Sequence, residues 1–181
     1  MFLLYQPQVD SKTKKIIGAE ALIRWKHPEL GVISPFEFIP IAEETPQIIP
    51  LGNWILQEAC QQLKSWHSSG YSHLKIGVNL SAIEFEQEDF VQSISNILTD
   101  TGLPASSLDL ELTERIAMID EQETLLKLRT LKKFGVQISI DDFGTGYSSL
   151  AYLPLYPIDT LKIPREFITM SGTCDDGIEI I

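Results

Sequence analysis

From Leu74 onward, short apolar runs rich in β-branched residues alternate with stretches whose apolar residues recur every three or four positions. The runs from Leu74 to Ser81, Leu108 to Glu114, Gln137 to Asp141 and Ile158 to Ile163 read as strands buried on both faces. Between them, residues 82–101 read as mostly helical. Glu121 to Phe134 reads as an amphipathic helix with Leu125, Leu128, Leu131 and Phe134 on one side. A short helix is expected around Ser148 to Tyr152. Strands that alternate with helices in this way predict a parallel sheet. Upstream, Phe2 to Val9 and Lys15 to Trp25 read as a hairpin around a polar turn at residues 10–14. Residues 26–35 read as a loop. Ser34 as N-cap, Pro35 at the first helical position and Glu37 two residues later predict a helix from Pro35 to Glu44. A longer helix is expected from about Leu51 to His67, its Trp54, Ile55, Ala59, Leu63 and Trp66 at core spacing.

Polar residues interrupt this pattern at the strand ends. Asn79, Glu111, the pair Asp141 and Asp142, and Lys162 each stand where an apolar run stops. Glu20 lies inside the second strand among small and apolar neighbours, and Arg24 shares its face at period two. Two adjacent aspartates at a strand end repel each other unless a cation lies between them. Taken alone, that pair fits a metal site and a helix cap about equally, and Glu20 with Arg24 also fits an ion pair on an exposed strand face. In parallel α/β architectures, however, all strand C-termini open on one side, where ligands bind. Several acids, one amide and one lysine arriving there together favour a site over a set of unrelated caps. The donors are hard oxygens, which suit Mg²⁺ or Mn²⁺, and metals of that kind suit a phosphate ester as substrate. Lys162 is then placed to orient or deprotonate a water.

Composition narrows the partners. The 181 residues carry a formal net charge of −11. That disfavours DNA, RNA or an anionic membrane surface as a partner held by bulk electrostatics. The two cysteines and three histidines form neither a CxxC nor an HExxH pattern, so neither a disulfide framework nor a zinc site is expected. No apolar run is long enough to span a bilayer, and the N-terminus lacks the features of a signal peptide. A reducing, cytoplasmic setting is expected.

The ordered motifs resemble one family. Glu20-Ala21-Leu22 with Arg24 matches the E-A-L-x-R motif that names the EAL domains, the cyclic-di-GMP phosphodiesterases of bacterial signalling. Val78-Asn79-Leu80-Ser81, Glu111-Leu112-Thr113-Glu114, Asp141-Asp142-Phe143-Gly144-Thr145-Gly146-Tyr147-Ser148-Ser149-Leu150 and Leu161-Lys162-Ile163 match further signatures in order. The resemblance covers the whole chain, residues 1–181, and implies a modified TIM (β/α)₈ barrel with an antiparallel first strand. It implies that Glu20, Asn79, Glu111 and Asp141 hold one Mg²⁺ or Mn²⁺ and that Asp142 is shared with a second. Lys162 would position or activate the attacking water, and Glu20, Asp142 and Lys162 form the catalytic set. Gln6, Leu22 and Arg24 match positions that contact cyclic di-GMP, and Glu114 matches a glutamate that braces the loop after Asp142. That loop and the helix behind it imply a homodimer contact, and a sensor or GGDEF domain upstream is a common family arrangement. The implied reaction is hydrolysis of cyclic di-GMP to linear 5′-pGpG.

Three departures stand against the pattern. Pro164 replaces the usual acid of Lys-Ile-Asp, and Pro46 replaces the glycine after Ala42-Glu43-Glu44-Thr45. A full barrel needs about 250 residues, so this sequence is expected to stop after about the sixth strand, as the N-terminal three-quarters of the domain. The competing reading is a non-catalytic module that binds cyclic di-GMP or a partner protein. A different Mg²⁺-dependent barrel enzyme acting on an enolisable acid would also use acids and a lysine, but it leaves the ordered motifs unexplained.

Overall fold

A computed structural model of the protein describes residues 1–114, 116, 121–144 and 155–167. Its strands are β1 (Phe2–Val9), β2 (Ile16–His27), β3 (Gly31–Ile33), β4 (Lys75–Leu80), β5 (Leu108–Thr113), β6 (Gln137–Asp141) and β7 (Thr160–Leu161). The helices are α1 (Pro35–Glu44), α2 (Ile48–Ser68), α3 (Ala82–Glu86), α4 (Phe90–Thr101) and α5 (Glu121–Phe134). One sheet runs in the order β1-β2-β4-β5-β6-β7, with β3 attached to β2. β1 pairs with β2 antiparallel, and β2, β4, β5, β6 and β7 pair parallel. The expected parallel sheet with a reversed first strand is therefore present.

The sheet has two chemically different faces. Ala21, Ile23, Ile76, Val78, Leu80, Leu108, Leu110, Leu112, Ile138 and Ile140 all belong to the buried core. Phe38 of α1, Leu56 and Leu63 of α2, Ile94 of α4 and Leu128 and Leu131 of α5 complete that core. Each Val, Leu, Ile or Phe among them contributes about 1.5–3 kcal/mol by leaving water. The intervening residues point the other way, because side chains alternate along a strand. They include Gln6, Glu20, Arg24, Asn79, Asp109, Glu111, Ser139 and Asp141. The core thus lies between sheet and helices, while the open face is polar.

Several elements begin or end away from their expected positions. α2 starts at Ile48, upstream of the expected Leu51. Pro50 fits within its first turn, where a missing N–H costs no helical hydrogen bond. Residues 26–35 are not all loop: β3 pairs with the end of β2, Trp25 opposite Ile33 and His27 opposite Gly31. Three residues are too few to show an alternating pattern in the sequence. The expected helix at 82–101 is two helices, α3 and α4, parted at Gln87 to Asp89. The short helix expected around Ser148 to Tyr152 lies outside the described residues.

Glu84 is a buried acid in this frame. It closes a capping box at the start of α3, its Oε2 accepting from the Ser81 amide at 3.1 Å and hydroxyl at 2.5 Å. Its other oxygen lies against Gly52 of α2, where a Cβ would fall 1.4 Å from it. Burial pushes the Glu84 carboxyl up from 4.5 to about 7, against the Ser81 hydrogen bonds and with a smaller push from Glu43. A carboxyl raised by folding stabilises the native state when protonated. The stability that Glu84 contributes is therefore expected to be highest below about pH 4.5, to fall as pH rises toward 7, and to level off above it. The span is on the order of 3 kcal/mol. Chemical denaturation of Glu84→Gln across that range should lose this component of the slope.

Candidate functional site

The site grows out of the alternation. β4 and β5 pair in parallel with Asn79 opposite Glu111, and β5 and β6 pair with Thr113 opposite Asp141. β2 pairs with β4 so that Glu20 faces Gly77. Acids from three strands thereby reach one point on the open face. Carboxylate oxygens of Glu20, Glu111 and Asp141 lie within 4.8 Å of one another.

Lys162 follows β7 directly. The pairing is prolonged past the strand by the Lys162 amide donating to the Ile140 carbonyl at 2.8 Å. Its neighbours in the sequence are apolar. Leu161 and Ile163 turn outward, 41% and 45% exposed, and Lys162 turns inward to the acids. Its Nζ lies 2.7 Å from Glu111 Oε2, 3.1 Å from Glu20 Oε2 and 3.4 Å from Asp141 Oδ2. The Asn79 amide donates to the other Glu20 oxygen at 2.7 Å.

These contacts remove two alternatives. Glu20 accepts from Asn79 and Lys162, whereas Arg24 donates to the Ile23 carbonyl at 2.7 Å. That is not an ion pair along a strand face. Nor is Asn79 a helix cap, because Ser81 caps α3.

Charge is unbalanced here. Burial pulls the Lys162 ammonium down, but Glu111, then Glu20 and Asp141, hold it above the ordinary lysine range. Burial pushes Glu111 up, and Lys162 opposes that shift. With three carboxylates facing one amine, the proton stays on the lysine. One ammonium against three acids leaves the site negative. One oxygen of Glu111, Oε1, is buried and has no hydrogen-bond partner among the described residues. An orphaned buried carboxylate oxygen is costly. Together with two neighbouring acids in reach of one ion, it fits a hard divalent cation.

Asp142 stands beside the cluster in the left-handed backbone region, with φ 51°. Its amide donates to Asp141 Oδ1 at 3.0 Å. Its carboxyl is raised by burial first and then by the charge of Asp141. The next amide, of Phe143, donates to the Lys162 carbonyl at 3.1 Å, so the chain after Asp142 is tied to the lysine segment. Gln6 is exposed and lies opposite Glu20 in the β1–β2 register. Leu22 and Arg24 line a cavity of about 430 Å³ with Pro35, Phe36, Asn79 and Thr113, directly beside the cluster. Glu114 occupies the turn after β5. Of the loop it was expected to brace, Phe143 and Gly144 are described and the remainder lies outside the described residues.

Sequence reasoning missed a second polar layer. Asp109 and Ser139 lie two residues before Glu111 and Asp141, and the Ser139 hydroxyl donates to both Asp109 oxygens at 2.8 and 2.7 Å. The signal was available as a polar residue of matching parity inside each apolar strand. A further anchor is Asp159, which accepts from Lys132 at 2.6 and 2.8 Å and from the Ile138 amide at 2.8 Å.

A mostly parallel α/β sheet with an antiparallel first strand and an acidic mouth at the strand ends defines a barrel-type enzyme scaffold of the TIM class. A family model described as "EAL domain" matches residues 1–181, and the chain belongs to that family. It is 45% identical over 181 residues to the bifunctional diguanylate cyclase/cyclic di-GMP phosphodiesterase MucR of Pseudomonas aeruginosa, covering 100% of this chain and 26% of that protein. It is 45% identical over 166 residues to the signaling protein YkoW of Bacillus subtilis, covering 92% of this chain and 21% of that one. The chain spans roughly a quarter of the length of the curated relatives it matches. Among solved structures, the PaMucR phosphodiesterase in complex with c-di-GMP matches with a TM-score of 0.91 and 46% identity, over 97% of this chain and 71% of that one. The EAL enzyme Bd1971, in a form bound to cAMP and cyclic-di-GMP, matches with a TM-score of 0.90 and 36% identity, over 96% and 48%. These matches show the barrel-type fold.

Proposed function

We propose that the chain is the N-terminal three-quarters of a phosphodiesterase domain that hydrolyses cyclic di-GMP to linear 5′-pGpG with Mg²⁺ or Mn²⁺. The observation that carries this reading is the convergence of carboxylate oxygens of Glu20, Glu111 and Asp141, with the buried Glu111 Oε1 lacking a partner among the described residues. The names of the matched relatives support the choice of substrate. Glu20, Asn79, Glu111 and Asp141 would hold one ion, and Asp142 would contribute to a second. Such an ion, when bound, polarises the phosphoryl group and makes a water more acidic.

The chain's own residues supply the rest. Lys162 positions or activates the attacking water. Water oxygen bonds to phosphorus, the bond from phosphorus to the 3′-oxygen breaks, and a proton reaches that oxygen. Gln6, Leu22 and Arg24 line the approach to the cluster and orient the dinucleotide, with Glu114 supporting the loop after Asp142. A homodimer contact through that loop, an upstream cyclase or sensor domain and a cytoplasmic location belong to the same proposal. No helix among the described residues is long and apolar enough to cross a membrane.

Incubation with cyclic di-GMP and Mn²⁺, read by chromatography, should yield pGpG. Glu20→Ala or Lys162→Ala should lower the rate by at least a thousandfold. A chain extended to the complete barrel that binds cyclic di-GMP and leaves it intact would instead establish the non-catalytic module.

A further inference from the structure

We infer that Lys162 is the internal counterion of the acidic site, and that its ammonium competes with a divalent cation for the same three carboxylates. The inference rests on the metal-dependent reading above and adds a means of controlling metal occupancy. Nζ stands where Glu20, Glu111 and Asp141 are all in reach, at 3.1, 2.7 and 3.4 Å. A cation that takes those same oxygens, Glu20 Oε2, Glu111 Oε2 and Asp141 Oδ2, occupies the same point. The ammonium and the ion cannot both be there, because like charges at such a separation repel strongly.

The lysine has somewhere to go. Its side chain is 25% exposed, whereas that of Glu111 is fully enclosed. Its four-carbon stem can swing without movement of the backbone. The backbone is meanwhile fixed on both sides, by the Lys162 amide on Ile140 and the Phe143 amide on the Lys162 carbonyl. Loading is therefore an exchange of one cation for another at a fixed set of acids. Without the metal, the lysine keeps the carboxylates from repelling one another. With the metal, the same lysine is released toward the substrate side. Affinity for the ion is then set below what the acids alone would give.

The test is metal binding, not turnover. Mn²⁺ is titrated into the 181-residue chain, with free Mn²⁺ read by electron paramagnetic resonance. Lys162→Met should bind at least tenfold more tightly than wild type, and Lys162→Arg, which keeps the charge, should not. A Lys162→Met protein that binds no more tightly than wild type overturns the inference and leaves the metal site standing. Absence of saturable binding in wild type, Lys162→Met and Glu111→Gln alike sinks the metal reading itself. The unmutated chain gives a second readout that does not depend on the variants folding. Acetylation of Lys162 by acetic anhydride, followed by peptide mass mapping, should accelerate severalfold when Mg²⁺ is added. An unchanged or slower rate overturns the exchange.

Discussion

Gly77→Ala is expected to leave the sheet folded and to lower the proposed cyclic-di-GMP hydrolysis by two orders of magnitude or more. Gly77 sits within β4, in register with Glu20 on one side and Asp109 on the other. An added Cβ would lie 2.3 Å from Glu111 Oε1 and 2.9 Å from its Cδ. The Glu111 side chain is fully enclosed, so it cannot move aside without leaving its place in the cluster. Displacement of about 1 Å at a reacting centre costs about a hundredfold in rate. The backbone itself loses nothing, since alanine suits a strand at least as well as glycine does. Circular dichroism should match wild type while hydrolysis and Mn²⁺ binding both fall. A variant that retains normal hydrolysis would show that Glu111 need not occupy this position.

Lys127→Met is expected to give a large loss of stability with no direct effect on the acidic cluster. The Lys127 ammonium, carried by α5, donates to the carbonyls of Phe85, Glu86 and Gln87 at 2.9, 3.1 and 3.1 Å. These are carbonyls at the C-terminal end of α3, which have no further helical turn to satisfy them. Methionine replaces the stem but not the donor, removing the ammonium from the Phe85 and Glu86 carbonyls, while the Gln87 carbonyl keeps the Phe90 amide at 3.2 Å. The cost is roughly 3 kcal/mol, which corresponds to a fall in Tm on the order of 10 °C. Glu123, the ion-pair partner at 2.8 Å, is 56% exposed, so Glu123→Gln should cost less than about 1 kcal/mol. Thermal unfolding of the two variants side by side separates the capping role from the surface ion pair.

Much of this architecture was legible because it rests on short-range rules. The alternating strands and helices after Leu74, the Ser34 to Glu37 helix start and the amphipathic α5 each follow from spacing within a few residues. The polar strand ends pointed to the cluster because parallel strands bring their C-terminal ends together. The three-residue β3 was not legible, since its pairing with Trp25 to His27 is a tertiary fact. Lys162 was legible as a member of the cluster from its strand-end position, although its sequence neighbours are apolar and its spatial partners come from β2, β5 and β6. Asp109 and Ser139 could have been found by carrying the parity of Glu111 and Asp141 two residues back. The need for glycine at 77 could not, because it depends on how far the Glu111 side chain reaches across a strand.

The division of the sheet into a helix-facing apolar side and an open polar side has an evolutionary consequence. Chemistry and solubility-determining stability are written on interleaved letters of the same strands. Under the proposed function, drift at Glu20, Asn79, Glu111 or Asp141 would remove catalysis without opening a hole among Ile76, Leu110 and Ile138. A lineage can therefore give up turnover in a single step and still inherit a well-folded scaffold, ready to be kept as a receptor.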